Sequence, residues 1–305
     1  MGKVPSKRYN LPVSNRAIAL GEALLTTFLW SSSYVLIKRG LVNISPLLFA
    51  GSRYFLAFLC LLTVFLLTRK TFPPLEMKEW AYLACLGLSG YAGMPAFQFL
   101  GLLYIGATDS AFISNFNPLF VALVSWAVKK KSPRKIQWAG FIVSLIGATV
   151  YFFPEIELRS MNKALGMVFT AISGLFWGIY MVLAEKRTSE VLDVLTRTTI
   201  SMGLGSTPLL LLSFVIEGTR LAKSSWIYIV WLGIVNTALA FTLWIHSLEE
   251  LKAFETAVLQ NTMLIQIALL SMLSLGETLS SNKIIGMIFV LTGAILAQKR
   301  TKNDT

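Results

Sequence analysis

Charge is what this 305-residue sequence has least of. Asp, Glu, Lys and Arg together make up 14% of it, and only 15 residues are acidic. A soluble domain keeps about a quarter of its residues charged to cover its surface, so that class is excluded. Cysteine is nearly absent. Cys60 and Cys85 lie inside apolar runs without CxxC spacing, which argues against a disulfide framework or a thiolate metal site. The chain also lacks GxxxxGK[ST], HExxH, GxSxG and paired acidic metal motifs. Phosphate-loop ATP hydrolysis is thereby excluded, an enzyme is not expected, and neither a cofactor nor a metal is implied.

What the sequence has instead is apolar length. Hydrophobic residues form 55% of the chain and mean hydropathy is +0.67. They fall in runs close to the ~20 residues with which a helix crosses ~30 Å of hydrocarbon. Ten spans are predicted, at 18–37, 47–67, 80–100, 110–128, 136–153, 165–184, 194–214, 226–246, 256–275 and 284–298. The runs lack alternating polar residues, against a β-barrel. No small-x-small site ends the first one, which is therefore expected to be retained rather than cleaved.

The chain repeats itself. A shift of 146 residues places Gly140 on Gly286, Gly147 on Gly293, Ala111 on Ala257 and Asn115 on Asn261; a shift of 147 places Trp30 on Trp177; a shift of 144 places Arg53 on Arg197. Two units of five spans follow, and an odd number of crossings forces the second to enter from the opposite side. The expected fold is an all-α integral membrane protein, ten transmembrane helices in two inverted five-helix repeats. The first repeat covers 18–153 and the second 165–298, with 154–164 as an extracytoplasmic linker and cytoplasmic tails at 1–17 and 299–305.

Charge placement sets the orientation. With the N-terminus in the cytoplasm, inner segments hold 18 of the 27 Lys and Arg, and outer segments hold 7. That asymmetry is the positive-inside pattern. It accounts for the basic loop "VKKKSPRK" at 128–135, whose counterpart around "SLGETLSSNK" carries one Lys and one Glu on the opposite face. The net charge of +12 is read the same way, with lipid headgroups and not nucleic acid as its partner. A multi-pass protein of the cytoplasmic membrane is expected. The pattern does not specify an oligomeric state.

The stretches "FLWSSSYVLIKRGL" in the first span and "LGETLSSNKIIGMIFVLTGAILA" at the end, set in this inverted repeat, resemble the drug/metabolite transporter superfamily and its EamA-type members. The resemblance covers residues 18–298. It implies a secondary transporter that moves a small organic solute (an amino acid, nucleoside, other metabolite or drug-like compound), by analogy outward, through a central cavity walled by spans one, three, four, six, eight and nine. Two departures stand out. Lys130-Lys131 replaces the family's Gly-Glu before the re-entering span of the first half, and Leu264 stands where Pro118 of span four has its counterpart. A pore-like channel, an accessory membrane subunit and an integral-membrane enzyme remain the alternatives.

Polar residues inside spans mark the faces that avoid lipid. Thr170, Ser173, Trp177 and Tyr180 share one face of span six, matched in span one by Thr26, Trp30 and Ser33. Gln98, Ser114, Asn115, Gln260, Asn261 and His246 supply spans three, four, nine and eight. These residues are the substrate-cavity candidates, set against an ordinary role in helix–helix hydrogen bonding. Glu22, the one carboxylate inside an early span, is the candidate for ion coupling, and Asp109 reads as the N-cap of span four. Arg53 and Arg197 could pair with acids or counter an anionic substrate, but they are expected to snorkel from span ends, Arg53 less readily because it lies seven residues beyond Pro46. Gly90, Gly93 and Pro95 in "SGYAGMPAF" are hinge candidates; span eight carries Asn236, Leu239 and Phe241 instead, so the irregularity is expected in the first repeat alone.

Orientation is open to direct measurement. In a background lacking Cys60 and Cys85, single cysteines at Ser132 and Ser280 should react with an impermeant maleimide from opposite sides of the membrane. Equal labelling of both in intact cells contradicts the inverted repeat.

Overall fold

The computed structural model describes residues 13–68, 74–129, 135–152, 161–184, 192–219, 224–251 and 253–298. The basic segment 130–134, Glu185 and most of the expected tails and linker lie outside these residues, as do the side chains of Pro118, Glu249 and Thr256.

Among the described residues ten helical rods follow one another. They are α1 (Val13–Gly40), α2 (Pro46–Leu67), α3 (Met77–Tyr104), α4 (Ala107–Lys129), α5 (Lys135–Phe152), α6 (Met161–Ala184), α7 (Val194–Glu217), α8 (Ser225–Glu250), α9 (Ala253–Leu275) and α10 (Ser281–Gln298). Eight are long and apolar enough to cross a membrane, and shorter apolar segments run through the described parts of α9 and α10. Pro46 opens α2 at its first helical position, where the missing N–H costs nothing. In α4 the helix breaks at Asn115 and Phe116. Pro118 lacks the N–H that would bond the Ser114 carbonyl, so the break falls where proline chemistry puts it. At the matching position α9 has Leu264 and runs unbroken.

The packing obeys a two-fold exchange of the halves. Helix α5 lies along α10, α2 along α7, and α4 against α9. The α3–α6 contact is matched by α8–α1, α1–α9 by α6–α4, and α3–α7 by α8–α2. Helix ends confirm that the halves are inverted. Glu22 near the start of α1 meets His246 near the end of α8, and Glu217 at the end of α7 meets the start of α2. The face holding the start of α1 is called the N-face below, and the other the far face.

The α5–α10 seam is closed by small residues. A Cβ on Gly147 would stand 2.9 Å from the Gly286 carbonyl oxygen, and one on Gly286 would stand 2.7 Å from that of Gly147. Without a hydrophobic driving force between helices in lipid, this backbone contact is the source of the attraction.

Both α3 and α8 pass through one π-helical segment, Leu88–Gly93 and Ile234–Leu239. The two are separated by the 146-residue repeat offset. The expectation that irregular backbone belongs to the first repeat alone is therefore corrected. Glycine and proline do not account for both segments, since the one in α8 contains neither. In α8 the Thr237 hydroxyl donates to the Leu232 carbonyl oxygen at 2.8 Å, satisfying an acceptor at the entry to the wider turn, and Ser89 donates to Cys85 O at 2.7 Å in α3.

Gly286→Leu is expected to destabilise the detergent-solubilised protein by roughly 2–3 kcal/mol through overpacking. Gly21→Leu, with nothing within 4 Å of the added carbon, should be near neutral. Equal melting temperatures for the two variants would remove the seam from the account.

Candidate functional site

Five helices meet at an aromatic cluster in the middle of the bundle. From α1, Trp30 packs on Phe241 and Trp244 of α8 with ring centroids 5.3 and 5.1 Å away. From α3, Tyr91 touches Phe241 at 6.0 Å, Tyr54 of α2 at 6.2 Å and Tyr180 of α6 at 5.5 Å. The hydroxyls of Tyr91 and Tyr180 are 3.0 Å apart and share a hydrogen bond, and Trp177 stacks on Tyr180 at 5.3 Å. Trp30, Trp177 and Tyr180 are half-buried, whereas Tyr54 and Tyr91 are buried. Gly90 and Gly93 of the α3 π segment lie where the rings of Tyr180 and Phe176 rest on the backbone. A Cβ at either position would displace α6, so in this structure these glycines make room for rings.

Arg53 lies beside the cluster and is only 4% exposed. The snorkelling expectation is corrected. Helix α2 turns this side chain inward, over the Tyr54 ring at 5.3 Å and into the α8 π segment. Its Nε donates to Thr237 Oγ1 at 2.9 Å, and Nη2 makes longer bonds to Ser33 Oγ at 3.4 Å and the Asn236 carbonyl oxygen at 3.5 Å. Asn236 in turn donates through Nδ2 to Leu29 O, Ser32 Oγ and Ser33 Oγ. The repeat-related Arg197 of α7 is half-buried, and its charge bears on both hydroxyls of the Tyr91–Tyr180 pair. Arg53 therefore faces the π segment of the other half.

The remaining candidates divide by location. Tyr34 OH donates to Ser114 Oγ at 3.1 Å and has Gln98 as a second neighbour, so α1, α3 and α4 meet there. Asn115 turns back on its own helix, its Nδ2 donating to Ala111 O at 3.0 Å. Gln260 is half-buried, and Asn261 is buried with its Nδ2 lacking a partner among the described residues. His246 is exposed at the N-face, its Nδ1 2.7 Å from Glu22 Oε2. The coupling candidate and the lone histidine thus form one pair, outside the aromatic cluster. Ser173 donates to Met94 O at 2.7 Å beside Pro95 and serves the α3–α6 contact.

The far face is tied together by charge. Lys38 Nζ donates to Leu102 O at 2.6 Å and Ile105 O at 2.8 Å, capping the end of α3. Glu217 accepts from the amides of Leu47 and Leu48 at the start of α2, and Glu277 from those of Ala107 and Thr108 at the start of α4. Carboxylates at these positive helix ends are favoured by the dipole as well as the hydrogen bonds. The N-cap of α4 is Gly106, which corrects the assignment of Asp109. That residue lies one turn inside and instead accepts from Tyr151 OH at 2.9 Å, with Lys283 at 3.6 Å.

The EamA-like transporter family matches the chain twice, over residues 17–153 and 164–298. The chain belongs to that family. EamA-like relatives include an uncharacterized transporter of Archaeoglobus fulgidus, 28% identical over 89% of this chain and 94% of that one. Another, from Salmonella typhimurium, is named as a probable amino-acid metabolite efflux pump and is 26% identical over 89% and 91%. An S-adenosylmethionine/S-adenosylhomocysteine transporter of Chlamydia muridarum is 28% identical over 61% of this chain and 59% of its own. A solved crystal structure shares the EamA-like fold with a TM-score of 0.65 at 19% identity, covering 93% of this chain and 98% of that one.

Sequence reasoning weighed Arg53 as a counter-charge to an anionic substrate but preferred snorkelling, and it omitted Tyr34, Tyr54, Tyr91, Thr237, Phe241 and Trp244. The Asn236–Thr237 pair in an apolar run was the available signal. The Tyr91–Tyr180 bond is tested by a double-mutant cycle on Tyr91→Phe and Tyr180→Phe, with an expected coupling of about 0.6 kcal/mol and at most roughly 1.7 kcal/mol. Additive losses would mean that the two hydroxyls act independently.

Proposed function

We propose that this protein is a secondary transporter that carries a small organic solute across the cytoplasmic membrane by alternating access, with both chain ends in the cytoplasm. The observation that carries the reading is the exchange symmetry of the packing. Each half offers the same helix contacts in inverted form, so a state sealed at one face has an equivalent sealed at the other. In the present state the far face is held by the Lys38, Glu217 and Glu277 contacts. The aromatic cluster, with its half-buried Trp30 and Trp177, is the solute site, and Gly90, Gly93 and Pro95 with the two π segments are where the helices flex. Outward transport is supported by the relative named as an efflux pump. The solute's own gradient drives it, because the Glu22–His246 pair sits at an exposed edge rather than deep in the bundle.

Purified protein screened against metabolites by thermal shift, followed by counterflow in liposomes, tests this reading, since a ligand selective for the folded state raises the melting temperature. A saturable hit that exchanges is expected; ohmic flux without saturation would favour a channel. Trp30→Ala and Trp177→Ala should each weaken that solute about tenfold, or ~1.4 kcal/mol, with little change in the melting temperature of the empty protein. If both variants unfold instead, the tryptophans are packing residues. An imposed pH gradient should give no uphill accumulation. Accumulation abolished by Glu22→Gln would make that carboxylate the coupling group.

A further inference from the structure

Arg53 is a cation that the fold buries without an anion. No described carboxylate lies within salt-bridge distance of it. Of its donors, Nε has one good bond, Nη2 has two long ones, and Nη1 bonds to no described residue. A guanidinium stays charged under all ordinary conditions. Taken out of water without a counter-charge it costs several kcal/mol, which hydroxyls and one ring face offset only in part. A second group beside it is left incomplete. Asn236 is fully buried and spends Nδ2 on α1, while its Oδ1 accepts from nothing among the described residues. A packing residue would leave neither deficit; methionine or leucine would fill the same volume.

On the transport reading above, we propose that Arg53 is the recognition point for a single carboxylate on the transported solute, with the Trp30, Tyr54 and Phe241 rings receiving an apolar or aromatic body. The planar fork of an arginine matches the two oxygens of a carboxylate. One negative charge neutralises the site, whereas a phosphate dianion would leave an excess charge in the bundle. Oδ1 of Asn236 is placed to accept from a donor on the same solute. The anion competes with the Thr237 and Asn236 contacts that now hold the guanidinium, so binding acts directly on the α8 π segment. Each step of recognition thus bears on the backbone element that the two halves share.

The test uses the full chain in detergent and the probe set phenylacetate, phenylacetamide and phenyl phosphate. Phenylacetate should raise the melting temperature in a saturable way, and phenylacetamide, which has the same body without the charge, should not. Arg53→Lys should need about tenfold more phenylacetate for the same shift, because the charge remains and the fork is lost. Arg53→Met should abolish the shift while leaving the empty protein as stable as the wild type or more so, since the uncompensated charge is gone. Equal shifts from acid and amide, no shift from the acid, a larger shift from phenyl phosphate, or a phenylacetate shift that survives in Arg53→Met would each overturn the proposal. Counterflow separates the two claims. Exchange of phenylacetate and phenylacetamide at equal rates by the wild type refutes the role of Arg53 alone, and absence of any exchange refutes transport.

Discussion

Inside hydrocarbon no water is available to satisfy a polar group, so the protein must do so itself, at several kcal/mol for each failure. Most unusual features of this chain are places where that constraint is met internally, and Arg53 with Asn236 Oδ1 is the exception. Apart from the break at Asn115 and Phe116 in α4, the described spans are helical, because only helices close their own backbone bonds. Where α3 and α8 widen into π segments, Ser89 and Thr237 supply the missing donors. Where α2 and α4 begin and α3 ends, the orphaned amides and carbonyls are met by Glu217, Glu277 and Lys38 from distant parts of the chain. The contacts that satisfy helix ends are thereby the same contacts that close the far face. On the proposed alternating-access cycle, opening that face leaves those groups to water.

Inversion of the repeat converts this local chemistry into a property of the whole molecule. The α3–α6 contact and its mate α8–α1, with α5–α10 and α2–α7 as self-paired seams, give the two halves interchangeable roles. Their side chains differ, though. One site has a buried arginine with Ser33, Asn236 and Thr237. The related one has a half-buried Arg197 beside two tyrosines. The scaffold is therefore symmetric and the chemistry is directional, which suits a carrier that must present unlike surroundings to its solute at the two faces.

Much of the fold was legible in the sequence, because its determinants are local or periodic. Span number follows from run length, and the repeat from matches such as Gly140 with Gly286 and Gly147 with Gly293; the break in α4 was not expected, although Pro118 carried its signal. What stayed hidden depends on pairing at long range. Glu277 takes the capping role that the nearer Asp109 seemed to offer, from 170 residues away along the chain. The Glu22–His246 pair spans 224 residues, and each partner alone reads as a solvated end-group. Arg53 was misread because an arginine seven residues into a span can reach either an interface or the interior. Only the neighbouring helices decide which. The π segments have no composition signature, since their extra residue is accommodated by a hydroxyl that an ordinary helix also tolerates.

The claim that the central site opens to one face at a time is tested most directly by a cysteine at Ser114, beside Tyr34, in a background without Cys60 and Cys85. Its reaction rate with a small impermeant thiol reagent is measured from each side of oriented vesicles. The measurement is repeated with Glu277→Gln, which weakens the far-face closure at the start of α4. The account predicts that this substitution speeds reaction from the far face and slows it from the N-face, because a single population is being divided between two states. A rise from the far face with the N-face rate unchanged would mean a continuous pore and would contradict the account.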